Sequence, residues 1–442
     1  MALALFMSYG KMRASPSLQA CDVLIMGGGP AGSATAALLA ERGWRTVVLE
    51  KDRHPRFHIG ESLLPFSLPY FDRLGLRDDL ERIGLRKYAA EFHSMYHGKS
   101  KHFEFEEALD GTYPYAYQVR RAEFDHLLFR HCAAKGADAR EGWRVTQAEL
   151  RDHRIVWVAT VDGQGVEQRW QARFYVDATG RDTFLANLLG TKERNRRHSS
   201  AALYGHFLGA QRNSGRAEGN ISIYWFEHGW FWMIPLKDGT MSVGAVCAPL
   251  YLKSRKVPVE QFFFDTIALC PGVRARLTEA QLMGPVTATG NYSYASRRSH
   301  GENFLLVGDA YAFIDPVFSS GVHLALRSAF LGAEAIDTIL RQPDRAASEL
   351  KRFHREVTRG LRTFSWFIYR ITTPAIRDLF ISPRNVFGIQ QGIVSLLAGD
   401  LFRGPMLGLR LWAFRMIYYV KTLVLFRQSL AEHRRRQRNL AL

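Results

Sequence analysis

The chain has 442 residues, is 47% hydrophobic, holds 37 glycines and 16 prolines, and carries a formal net charge of +17. Such a length and apolar content allow a large core and two or three domains, and they exclude a disordered or fibrous chain. Cys21, Cys132, Cys247 and Cys270 lie far apart with no C-x-x-C, so no zinc site or disulfide framework is expected, and a reducing compartment fits. The charge is uneven. From Lys351 to Leu442 there are 17 Lys and Arg against 4 Asp and Glu, a net +13, which leaves +4 for the first 350 residues. No helix-turn-helix, zinc-finger or RRM pattern accompanies the basic region, so nucleic acid is a poor partner. A membrane surface or an acidic protein fits better.

Taken in order, residues 1–19 read as a disordered leader. Their apolar run is short, and Lys11 and Arg13 follow it, unlike a signal peptide. No stretch reaches about 18 uninterrupted apolar residues, so no membrane span is expected. Residues 21–50 read as strand, turn, helix, strand, with Gly27, Gly29 and Gly32 in the G-x-G-x-x-G spacing. Gly27 permits the tight turn, Gly29 lets backbone approach a pyrophosphate, and Gly32 allows close helix–strand packing. The helix start then offers free N–H groups and partial positive charge to phosphates. Glu50, 18 residues after Gly32, is placed to accept from a ribose. A dinucleotide site follows from this arrangement.

Residues 90 to 175 alternate strands and helices, and "FHSMYH" and "IVWVATV" read as strands. Residues 200 to 250 hold several β-like runs, suggesting a second sheet. Within them, "GWFWMIPL" sets Trp230 and Trp232 on one face of a strand. "YVDATGR", 175–181, and "FLLVGDAYAFIDP", 304–316, each run from an apolar strand into a small-residue turn. Gly180 and Gly308 allow backbone to approach a cofactor, and Asp309 can bind ribityl or ribose hydroxyls. Residues 322 to 442 are mostly helical in pattern and are interrupted by Pro374, Pro383 and Pro405. In 407–427, Arg410, Arg415, Lys421 and Arg427 fall at about 0°, 140°, 20° and 260° on a helical projection, which is not a clean amphipathic helix.

The three glycine-bearing motifs in this order resemble the FAD-dependent monooxygenases with the p-hydroxybenzoate hydroxylase fold. That resemblance implies an α/β fold: a Rossmann-like FAD domain over 20–195 and 285–345, a substrate-side sheet over 196–284, and a basic helical region over 346–442. It places Arg121 of "VRRAEFDHLL" near the flavin. The cofactor set it implies is Gly27, Gly29, Ala31, Gly32, Glu50, Lys51, Glu61, Ser62, Arg121, Gly180, Gly308, Asp309 and Pro316.

Three features narrow the resemblance to the flavin-dependent halogenases, on the phenol and pyrrole branch. Trp230, Trp232, Ile234 and Pro235 match the family's W-x-W-x-I-P motif, whose indoles keep substrate away from flavin. Phe313, Pro316, Ser319 and Gly321 match its F-x-x-P-x-x-S-x-G pattern, and the amides of Ser320 and Gly321 are the implied halide donors beside Ser319. Lys87 lies 26 residues after Glu61 in a G-x-x-K-x-x-A setting. Phe318 stands where the tryptophan-halogenating branch has a glutamate, which an electron-rich phenol does not need. Leu85 replaces a phenylalanine often found after the glycine of that setting.

The resemblance implies FADH2, O2 and chloride or bromide as cofactors, and no metal. It implies a cycle through a flavin C4a-hydroperoxide and hypohalous acid to the catalytic residues Lys87, Trp230 and Trp232. Reduced flavin is expected from a separate flavin reductase. The substrate is expected to be an aromatic small molecule, free, lipid-like or tethered to an acyl carrier protein. Cytoplasmic placement is expected, with the basic C-terminal region able to contact the inner face of the membrane. An FAD hydroxylase, an isoprenoid-type reductase and a non-catalytic membrane-associated flavoprotein are the alternatives.

Overall fold

The computed structural model describes residues 17–109, 111–195, 200–290, 293–383, 385, 388–401 and 404–440. Most of the expected leader lies outside them, and its last three residues are already strand. Over the described residues the strand Ser17–Met26 runs beside the long strand Glu167–Asp177, pairing Ser17 with Gln168.

The first sheet grows from that apolar strand. Ser17–Met26 pairs in parallel with Thr46–Glu50 on one side and Glu167–Asp177 on the other. Asp138–Glu141 extends one edge, and Arg154–Asp162 and Trp143–Arg151 extend the other. Glu167–Asp177 changes partner along its length: Glu167–Trp170 pairs with Arg154–Asp162, and Tyr175–Asp177 with Phe304–Leu306. Val23, Leu24, Ile25 and Met26 are buried without remainder, as expected of a central parallel strand covered on both faces. Helices Pro30–Glu41 and Gly321–Arg341 pack together over this sheet.

The second sheet has the order Gln281–Thr289, Ala201–Leu208, Thr240–Cys247, Gly229–Pro235, Ile221–Phe226, Ala89–Ser94, Lys99–Glu104. It is therefore not confined to 196–284. Two strands come from before the expected boundary, because Ala89–Ser94 adds in parallel to Ile221–Phe226. The last strand from the C-terminal side runs to Thr289. Side chains alternate between two apolar clusters. Phe231, Met233, Val243 and Ala245 face the helix Val259–Ala268. Trp230, Trp232, Ile223 and Trp225 face the cavity and the C-terminal helices.

The C-terminal region is helical, as the pattern predicts: Ala346–Ile368, Pro374–Ile381, Ile389–Leu397, Gly404–Val424 and Phe426–Leu440. Pro374 opens its helix and Thr373 caps it, Oγ1 accepting from the Ile376 amide at 3.4 Å. Among the described residues no helix is long and apolar enough to cross a membrane.

Candidate active site

A cavity of about 430 Å³ opens at the carboxyl ends of the parallel strands, where such folds bind ligands. The glycine turn forms one end. A Cβ on Gly27 would sit 2.2 Å from the Ala178 carbonyl oxygen, and one on Gly32 would sit 1.9 Å from the Gly27 carbonyl oxygen. Both glycines are thus required by packing. At Gly29 the nearest atom would be Arg56 at 3.8 Å, so that backbone stands open to the cavity. Glu50 lines the cavity with its carboxylate already oriented: Gly28 N donates to Oε2 at 2.7 Å and Asp52 N to Oε1 at 3.0 Å. Lys51 lines it too and reaches Asp182 at 2.5 Å.

Farther along lie Ala31, Gly180, Asp309 and Pro316. The depth of Asp309 raises its carboxyl to about 6, partly opposed by Arg121 and Arg181. Gly308, at φ 55°, holds the turn before Asp309, its amide donating to Ser328 Oγ. Arg121 is buried at the start of the helix Arg121–Ala134, forked onto both oxygens of Asp125 and donating to the Ile59 carbonyl. Open backbone at Gly29, the free amides of the helix start and the Asp309 carboxyl at the far end make a cradle that fits a flavin dinucleotide.

Trp230 and Trp232 form the sheet-side wall. Their ring centroids are 5.9 Å apart at 51°, and Trp232 Nε1 donates to Ser242 Oγ at 3.1 Å. Trp232 lies across Gly244, where a Cβ would come within 2.2 Å of the indole. Only a glycine on the neighbouring strand lets the ring lie flat. Gly244 was not singled out in the sequence because its strand reads as ordinary β.

Behind the turn, Ser319 adopts φ 55° and Ser320 starts the helix Gly321–Arg341. The amides of Ser320 and Gly321 donate to no protein acceptor among the described residues, and the buried Ser320 hydroxyl has no partner. Ser319 and Gly321 line the large cavity. Three N–H or O–H donors at a helix N-terminus suit a small anion.

Ser319 and Ile221 also line a second, much smaller chamber, about 10 Å³, roughly one water. Lys87 is there, with Phe92, Phe105 and Phe318. Its strand, Leu85–Lys87, is pinned to Ala116–Gln118, and the Asn220 side chain accepts from the amides of Tyr88 and Ala89. Lys87 is 1% exposed, Nζ donates to Ser62 Oγ at 2.9 Å, and burial lowers its ammonium to about 7. Phe318 stacks parallel to Phe380, so an apolar ring occupies the position of the absent glutamate.

Neighbours Glu61 and Ser62 bond to different partners. Both line the large cavity, but Ser62 turns its hydroxyl to Lys87, while Glu61 accepts from His206 Nε2 at 2.9 and 3.1 Å. Arg56 and Arg181 line the cavity, and His206 stands behind it on Glu61; none of the three was singled out in the sequence. For Arg56 a signal existed: "HPRFHIGES" is a basic loop directly after the strand that ends at Glu50.

The family model described as Tryptophan halogenase matches residues 22–111 and 84–373. A flavin-dependent halogenase of Penicillium aethiopicum, gsfI, is 34% identical over 78% of this chain and 70% of its own. A 1H-pyrrole-2-carbonyl-[peptidyl-carrier protein] chlorinase of Pseudomonas fluorescens is 28% identical over 87% of this chain and 90% of its own. The structure of the myxobacterial chondrochloren halogenase CndH, described as a variant of FAD-dependent halogenases, superposes with a TM-score of 0.77. It is 33% identical, covering 93% of this chain and 97% of that one.

Proposed function

Because this chain belongs to the flavin-dependent halogenases, we propose that it chlorinates or brominates an electron-rich aromatic, a phenol or pyrrole, through Lys87. The observation that carries the reading is a fully buried lysine, held by one neutral hydroxyl, in a chamber that meets the large cavity at Ser319. A structural lysine at no exposure would ordinarily have a carboxylate partner. One lowered to about 7 by burial is instead poised as a neutral amine.

In this reading Gly27, Gly29, Ala31, Glu50, Arg121, Gly180 and Asp309 hold FAD, which when bound in its reduced form activates O2 for halide oxidation. A separate reductase supplies the reduced flavin. The amides of Ser320 and Gly321, with the Ser320 hydroxyl, hold the halide. Trp230 and Trp232 keep the organic substrate from the oxygen-activating end, as rigid apolar indoles can. Hypohalous acid passes Ser319 to Lys87. The neutral amine attacks its halogen: an N–X bond forms, the O–X bond breaks, and the amine proton leaves with hydroxide as water. The ring then attacks that halogen: a C–X bond forms, N–X breaks, and the ring proton returns to the amine. Ser62 Oγ orients the amine throughout. Phe318 leaves no carboxylate to draw the ring proton, which suits a ring activated by its own oxygen or nitrogen. A chamber of one water is smaller than either hypohalous acid or a ring, so its side chains must move aside for both.

Family membership stands against the hydroxylase and isoprenoid-reductase alternatives. A carrier-tethered pyrrole is the second reading, favoured by the similarity to the pyrrole chlorinase. The test is Lys87→Ala with reduced flavin, both halides and a panel of free and carrier-bound phenols and pyrroles. Reduced flavin should still be oxidised while halogenated product disappears from the mass spectrum. Halide-independent hydroxylated or saturated product that survives the substitution would sink the proposal.

A further inference from the structure

The helix Gly404–Val424 is apolar on two opposite sides. Leu407, Leu411, Phe414 and Tyr418, spaced as one face, are buried in the cluster that also holds Phe380 and Phe318. The opposite side is equally apolar but open. Met406, Leu409, Met416, Val420, Leu423 and Val424 recur along it, Leu423 at 71% and Val424 at 72% exposure. Trp412 and Tyr419 are exposed among them, and Phe426 prolongs the stripe. From Met406 to Val424 it is about 27 Å long at 1.5 Å per residue. Soluble monomers rarely leave so long a contiguous apolar surface in water. The four cations that did not collect on one face in projection now have a place. On the same 100° projection Arg410 and Lys421 run along one margin between the buried and open sides, and Arg415 along the other. Arg427 stands exposed beyond the end.

We propose that this open face docks the protein on an anionic lipid bilayer, the helix lying in the interface with its apolar side toward the acyl chains. Several observations choose lipid over a protein partner. No acidic residue occurs between Asp400 and Glu432, and the chain from Lys351 onward carries +13, which a second copy would repel. The cations sit at the margins, where lipid headgroups lie, and leave the centre uncharged; Lys421 is already held by Asp378 at 2.7 Å. An acidic carrier protein would need them in the footprint. Exposed Trp and Tyr on an apolar face suit the headgroup layer. Among the described residues no helix is long and apolar enough to cross a membrane, so the contact proposed is interfacial and not spanning. Resting on the function proposed above, the docked face would set the Lys87 chamber, across Phe414, Phe380 and Phe318, on the membrane side of the molecule. An aromatic partitioned into the bilayer is the substrate this placement favours.

The full chain is sedimented with phosphatidylcholine vesicles with and without phosphatidylglycerol. Binding should require the anionic lipid. Val420→Glu with Leu423→Glu should weaken it at least tenfold, and Arg427→Gln with Arg434→Gln, the latter also exposed on the following helix Phe426–Leu440, should weaken it and reduce its salt dependence. Unchanged thermal melting and unchanged halogenation of a water-soluble phenol by the Glu variant separate this proposal from the catalytic one. Four outcomes overturn it: no binding to either vesicle, binding unaffected by the Glu pair, a lipid-free dimer that the Glu pair disperses, or capture of an acidic carrier protein that the Glu pair abolishes without any vesicle binding.

Discussion

Replacing Lys87 by Met should end halogenation and make the protein more stable. The ammonium of Lys87 is pushed from 10.5 down to about 7 by burial alone. An unfolded lysine keeps its ordinary value, so between pH 7 and 10.5 the unfolded chain binds one proton more than the native one. Native stability therefore rises with pH across that window, by about 1.4 kcal/mol per pH unit. Integrated, holding Lys87 costs about 4 kcal/mol at pH 7 and about 1 kcal/mol at pH 10. Met has similar volume and no charge, but it leaves the Ser62 hydroxyl without its partner, which costs about 1–2 kcal/mol. The net gain should be roughly 2–3 kcal/mol at pH 7 and vanish near pH 10. Urea unfolding of both proteins at the two pH values, with equal m, measures it. A Lys87→Met protein no more stable than its parent at pH 7, or a difference that does not change with pH, would refute the claim that this lysine is buried as a near-neutral amine.

The same amine predicts that product formation, at saturating reduced flavin, climbs with pH through about 7, because only the neutral form attacks the halogen. Phe318→Glu would place a carboxylate in the Lys87 chamber and raise the lysine, so that climb should move to higher pH by about one to two units, read from the pH profile of kcat. Gly244→Ala drives a methyl into the Trp232 indole and should cost about 1–3 kcal/mol in urea unfolding while tilting the ring into the cavity and weakening flavin binding, read by fluorescence titration. Trp232→Ala should leave flavin bound but release hypohalous acid to solution, detected with a thiol or dimedone-type trap; tight coupling of flavin oxidation to product would count against the partition.

Much of the cofactor end was legible in the chain, because its chemistry is local. A turn of Gly27, Gly29 and Gly32 between a buried strand and a helix has few other uses, and the backbone clashes at Gly27 and Gly32 show why. The turn at Ser319–Gly321 and the paired indoles stand out as motifs for the same reason, each lying within a dozen residues. Domain limits were less so. Ala89–Ser94, with its neighbour Lys99–Glu104, joins a sheet whose other five strands begin more than a hundred residues later, and nothing within that segment announces Ile221–Phe226 as its partner. Glu61 and Ser62 both line the large cavity, but nothing in the sequence signals that their side chains bond to different partners, one to His206 and one to Lys87.

Two matters were decided by the tertiary structure alone. Lys87 reads locally as a surface lysine in "GLRKYAAEF"; its burial comes from Phe92 of that stretch together with Phe105 and Phe318 from elsewhere in the chain, and burial is what shifts its proton. The last long helix defeats a periodicity reading because it is apolar on both sides, and only the packing of Leu407, Leu411, Phe414 and Tyr418 reveals which side is left to the solvent. Backbone chemistry is carried by neighbours in sequence, whereas dielectric environment and exposed area are set by neighbours in space.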